Sequence, residues 1–156
     1  MELSIECPRW EEVPSVAAVV ERAAGAAFAA VRQAPAQAEV SIALIDDAAI
    51  SKLNRDFRGN DQPTNVLSFP ASPLKVPGAP TLLGDVAVAF ETTAAEAAAD
   101  AKSIADHLAH LVVHGVLHLM GYDHIDTEDA ELMEAAERDI LAALGIVDPY
   151  AARDAD

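Results

Sequence analysis

Cations are scarce in this chain. It carries 10 Lys and Arg against 26 Asp and Glu, a formal net charge of −16 at pH 7. Such a body repels polyanions at long range, which argues against loose nucleic-acid binding and leaves room only for a local basic patch. Cysteine is nearly absent. Cys7 stands alone, so no internal disulfide can form, and it reads as a small buried hydrophobe in a reducing compartment. Aromatic residues make up only 4%, so Ala, Val, Leu and Ile must build the core. No uncharged apolar run of about 18 residues appears, and no membrane span is expected. The first residues lack a basic and then an apolar stretch, so they are not expected to be a signal peptide. There is no internal repeat and no low-complexity linker. With 156 residues, 52% of them apolar, the expectation is one domain over residues 1–156 with a real core.

What is present alternates between two periods. Leu3 to Cys7 and Glu39 to Ile45 alternate apolar and polar and predict strands. Between them, Pro14 suits the first turn of an Ala-rich helix running to about Arg32. Asp46 or Asp47 can cap a helix to about Phe57 whose apolar stripe is Ile50, Leu53 and Phe57. Arg58 to Thr64 is rich in turn formers and reads as a loop. Asn65 to Phe69 predicts a short strand, and Pro70 to Pro80 an exposed loop. Leu82 to Phe90 reads as a strand, with Gly84 marking a bulge or a close approach. Helices follow from Thr92 to Asp100, from the Ser103–Asp106 cap onward, and from an Asp126 or Thr127 cap to Gly145. This order predicts an α+β domain with one mixed sheet backed by about five helices.

Three histidines carry the chemistry. They lie in His114-Gly115-Val116-Leu117-His118-Leu119-Met120-Gly121-Tyr122-Asp123-His124. Histidines four apart share a helix face. Gly121 can supply the left-handed residue that ends the helix and turns His124 back over that face. Three imidazoles converging from one side suit one Zn²⁺ per chain and leave the fourth position for water, the pattern of a catalytic site. Metzincin peptidases follow the first His with a Glu that acts as general base. Here that position is Gly115, so a zinc site is expected without the peptidase machinery.

Other residues are open to two readings. His107 and His110 share the ligand stripe and read as a half-buried helix edge, with His110 as a spare ligand or a hydrogen-bonding support for one as the alternative. Asp123 either orients an imidazole or is solvated. Asp85 is either near the metal or an ordinary strand carboxylate. The acids from Asp126 to Asp139 read as the wet face of an amphipathic helix, or else as a docking surface for a basic partner. Lys52, Arg55 and Arg58 place three of the ten cations within seven positions. Arg58 is either an ordinary solvent-exposed loop arginine or a cation for phosphate, since Arg grips phosphate in a fork and a zinc site without a carboxylate base needs a cation to stabilise a phosphorane.

Three stretches together resemble the YbeY endoribonuclease family. They are the histidine segment, the run Asn54-Arg-Asp-Phe57-Arg58-Gly-Asn-Asp61-Gln-Pro63-Thr64-Asn65-Val66-Leu67-Ser68-Phe69-Pro70, and Leu83-Gly84-Asp85-Val86. The resemblance spans about residues 40 to 150. It implies a mixed four-stranded sheet with helices, metalloprotease-like around its metal helix. It also implies a cytoplasmic, zinc-dependent enzyme that cuts single-stranded RNA in ribosomal RNA maturation, notably at the 3′ end of 16S rRNA, and in ribosome quality control. Its implied partners are the small ribosomal subunit and a ribosomal protein or assembly GTPase. The family's ligand positions fall on His114, His118 and His124, and its active-site arginine on Arg58. Two rivals stand beside it: a zinc peptidase, and a ribosome-assembly factor whose zinc is structural.

Overall fold

A computed structural model describes residues 1–31, 38–71, 81–122 and 126–150. The strands are β1 (Glu2–Ile5), β2 (Ala38–Ile45), β3 (Val66–Pro70) and β4 (Thr81–Ala89). The helices are α1 (Val16–Ala30), α2 (Asp47–Arg58), α3 (Phe90–Ala99), α4 (Ile104–Leu119) and α5 (Thr127–Ala143), with a 3₁₀ turn over Pro8–Glu12. The predicted order of elements and the α+β class hold. The sheet runs β1-β2-β4-β3. β1, β2 and β4 are parallel, and β3 joins β4 antiparallel at the edge. Gly84 serves both expected purposes. The register with β2 slips beside it, and a Cβ there would sit 2.2 Å from Phe69 O.

Successive strand residues face opposite sides. Val40, Ile42, Leu44, Val86 and Val88 join the main core with α1, α4 and α5. Ile45, Leu67, Ala87 and Ala89 form a smaller core with Ile50 of α2 on the other face. Trp10 is fully buried; its indole N–H donates to Ile45 O at 3.0 Å and its ring meets the Phe90 edge at 5.0 Å. Asp46 caps α2 by accepting from Ala49 N at 2.8 Å. Some details differ from expectation. Pro14 precedes α1 and its Ser15 cap and does not lie in the first turn. The loop expected from Pro70 to Pro80 lies outside the described residues apart from Pro70, which ends β3, and Ala71. Phe57 does not complete the buried stripe of α2: it is 69% exposed, with its ring beside that of Phe69 in β3. Arg58 ends that helix instead of opening a loop.

A polar chain ties the start of β3 to α3 and α4. Asn65 Nδ2 and His107 Nε2 both donate to Glu96 Oε1, each at 2.9 Å. His107 is buried, so it is more than a helix edge. Burial lowers its pKa from the ordinary 6.5, more than the Glu96 hydrogen bond raises it, and Lys102 adds to the lowering. The unfolded chain therefore takes up this proton first as pH falls. His107's contribution to stability is complete above pH 6.5 and declines below it. Asn at 107 is neutral throughout. The loss of melting temperature between about pH 7.5 and pH 5.5 should therefore be smaller in His107→Asn than in the parent. An equal loss in both would remove His107 from the acid response.

Candidate active site at the histidine helix

Helix α4 is fixed at both ends by local chemistry. Ser103 Oγ accepts from Asp106 N at 3.1 Å at its start. At its end Gly121 has φ +103, Gly121 N donates to His118 O, and Tyr122 N donates to Leu117 O. That pair of bonds is a Schellman close, and it places the left-handed glycine where the sequence requires it. His114 and His118 lie one turn apart on the helix, each partly exposed. His124 and Asp123 lie outside the described residues. Among the described residues no three His, Cys, Asp or Glu groups are placed to hold a metal together.

His114 is held from behind by a carboxylate. Its Nδ1 lies 2.5 Å from Glu137 Oε1, and Glu137 is fully buried. The Tyr150 hydroxyl donates to the other oxygen, Oε2, and His110 Nε2 stands 3.6 Å from it. Burial alone would push the pKa of Glu137 up. Attraction to His110, His114 and Tyr150 outweighs it and holds the carboxyl at about 2. An ionised carboxylate only accepts. Nδ1–H of His114 therefore donates to it, and Nε2 is turned away from the carboxylate. A buried carboxylate behind an imidazole is the usual support of a metal ligand, so the donor set fits a metal on the Nε2 side.

Glu137 corrects the expectation of a wholly wet acidic face on α5. Its neighbours in the buried stripe are Met133, Ile140 and Leu141. An acid four residues from Met133 and four from Leu141 is itself the sequence signal of a partnered core carboxylate. Tyr150 carries no comparable signal, because it arrives from beyond α5.

Gly115 lies between the two histidines in sequence and faces the sheet. A Cβ there would lie 2.7 Å from Val86 Cγ1 and 3.2 Å from Ser68 Oγ. Ser68 Oγ donates to Gly115 O at 3.2 Å. A glutamate at 115 has no room, so the missing general base reflects packing against β3 and β4. The same serine reaches Arg58. In the antiparallel pair Asn65 bonds Ala89 and Ala71 bonds Leu83. Ser68, out of phase with these, points its carbonyl to the free edge of β3. Arg58 Nη2 donates to it at 3.1 Å. Two contacts thus connect the guanidinium to the backbone between His114 and His118. Asp85 is exposed on the opposite sheet face from its neighbour Val86, away from α4.

The model of the family described as Endoribonuclease YbeY matches residues 6–145. The chain belongs to the YbeY family. It is 56% identical to Endoribonuclease YbeY of Paramagnetospirillum magneticum over 154 residues, covering 95% of this chain and 93% of that one. It is 55% identical to Endoribonuclease YbeY of Azorhizobium caulinodans, covering 97% and 96%. The solution structure of TM1509 from Thermotoga maritima superposes with a TM-score of 0.56 at 22% identity, over 92% of this chain and 90% of that one, and shows the same fold.

The packing can be tested directly. Ala gains about 1 kcal/mol over Gly in a helix interior. Forcing a methyl against a stiff, fully buried β-branched neighbour costs about 1–3 kcal/mol. Gly115→Ala should lower the midpoint of denaturant unfolding, and Gly115→Ala with Val86→Ala should recover part of the loss. A midpoint that rises in the single variant would show that α4 does not sit this close to β4.

Proposed function

We propose that this chain is a zinc-dependent endoribonuclease that cuts single-stranded RNA, with His114, His118 and His124 as metal ligands and Arg58 as the catalytic cation. The supporting observation is the path from Arg58 through Ser68 to Gly115, which brings a forked cation to the helix of the histidines. The names of the relatives support RNA as substrate. The family resemblance extends the reading to ribosomal RNA maturation, notably the 3′ end of 16S rRNA, and to ribosome quality control. It also extends it to a cytoplasmic setting with a ribosomal protein or assembly GTPase as recruiter.

Bound by these histidines, zinc supplies Lewis acidity and lowers the pKa of water. The chain's own residues do the rest. Glu137 fixes the tautomer and plane of His114, so its lone pair faces outward. Ser68 O takes one N–H of Arg58 and leaves other guanidinium donors for phosphate oxygens. Arg58 sits in the last turn of α2, where the helix dipole favours a cation. Placed there before reaction, it stabilises charge that develops on the phosphate. RNA enters as a single strand, whose backbone can be splayed toward the helix. The peptidase reading lacks a base, and Gly115 has no space to carry one.

Purified protein should hold about one zinc per chain. His114→Ala and His118→Ala should lose most of it by elemental analysis, whereas His107→Asn should keep it. Glu137→Gln should weaken zinc affinity about 10- to 100-fold in competition with a chromogenic chelator. Full occupancy in both histidine variants would sink the metal assignment.

Arg58→Ala should keep its zinc and its melting temperature. It should lose on the order of 10²–10³ in single-turnover cleavage of a single-stranded RNA. Wild-type rates in that variant would remove Arg58 from the mechanism. Precursor rRNA, bare and within ribosomes, should be cut by the metal-loaded protein and left intact by this variant. A casein digest should show no cleavage.

A further inference from the structure

Between the end of α2 and the open face of β2, β4 and β3 lies a groove of about 660 Å³. Its apolar walls include Leu53, Phe57, Phe69 and Ala87, with Arg58 as its cation and Asp85 as its anion. This is within the size range of small-ligand sites. The Phe57 and Phe69 rings lie 5.3 Å apart at 59°. Phe57 is 69% exposed, although it continues the apolar stripe of an otherwise amphipathic helix. Arg58, its neighbour in sequence, turns to the free edge of β3 at Ser68 O.

The geometry points to a nucleobase subsite: one base of the RNA stacks on Phe57 and Phe69 while Arg58 holds the adjoining phosphate. This rests on the RNA reading above and names how the strand is gripped. A nucleotide has a flat, uncharged part and an anionic part, and the groove offers an aromatic platform beside a cation. Stacking on aromatic side chains is a major source of sequence-tolerant single-strand affinity. Asp85 sets the orientation, because its carboxylate repels phosphate and accepts from base N–H groups. A body of net charge −16 gains little from general attraction to RNA. A stacked base supplies affinity that does not depend on it.

The test uses the zinc-loaded protein and an end-labelled 2′-O-methyl RNA 10-mer, read by fluorescence anisotropy, beside an abasic 10-mer with the same phosphates. Phe57→Ser alters an exposed side chain and should melt like the parent. It should bind the 10-mer about tenfold or more weakly, and the abasic strand should bind parent and variant alike at that weaker level. Phe57→Trp should retain affinity, and its emission should be quenched by the 10-mer and not by the abasic strand; Trp10 is fully buried and cannot give that signal. Parent-like affinity of Phe57→Ser for the 10-mer would overturn the subsite and leave the nuclease reading standing. Equal binding of abasic and normal strands by the parent would do the same. A parent that neither binds nor cuts single-stranded RNA would end both.

Discussion

The close approach of α4 to the sheet at Gly115 is the contact on which the site depends. The helix comes near enough to β4 that a methyl would overlap Val86, and Ser68 of β3 bonds the Gly115 carbonyl from the side. A protein interior transmits such a constraint because it is close-packed. His114 and His118 are placed relative to the sheet edge by the same contact. Ser68 then serves twice: its hydroxyl holds the helix, and its carbonyl, free because β3 is the edge strand, holds Arg58. Edge strands usually have unused carbonyls to manage. Here one of them positions the guanidinium.

The second constraint is electrostatic. A chain with so many acids places one of them, Glu137, at no exposure at all. An isolated carboxylate there would be protonated or would unfold the core. Two imidazoles and a phenol make it stable as an anion, and in return they lose rotational freedom. Among the described residues no other acid is buried, and the net charge of −16 repels polyanions. Against that net charge, Arg58 places a cation at the free edge of β3.

Much of this was legible in the residues. The two periodicities gave the order of strands and helices, and Ser103, Asp46 and Gly121 marked boundaries that the structure keeps. The reason is local: caps and left-handed turns are decided by a few neighbouring atoms. What escaped was set by distant parts of the chain. Phe57 fits the stripe of α2, yet it stays 69% exposed beside Phe69 of β3, and periodicity cannot say how fully a neighbouring strand covers a helix end. Glu137 sits in a run of acids that matches a solvated face, and only its four-residue spacing from Met133 and Leu141 hinted at the core. The role of Ser68 follows from β3 being an antiparallel edge, which the sequence of one strand does not disclose. The absence of Glu at 115 was visible as chemistry, but its cause, the contact with Val86, was not.

The proposed centre is a histidine-bound zinc whose first ligand, His114, is held from behind by Glu137. The measurement that tests this most directly is zinc-edge X-ray absorption on the purified protein. Imidazole-only protein ligation, with zinc–nitrogen distances of about 2.0–2.1 Å and one further light atom, is the predicted result. Sulfur in the first shell, or a carboxylate from Glu137 bound in place of His114, would contradict it.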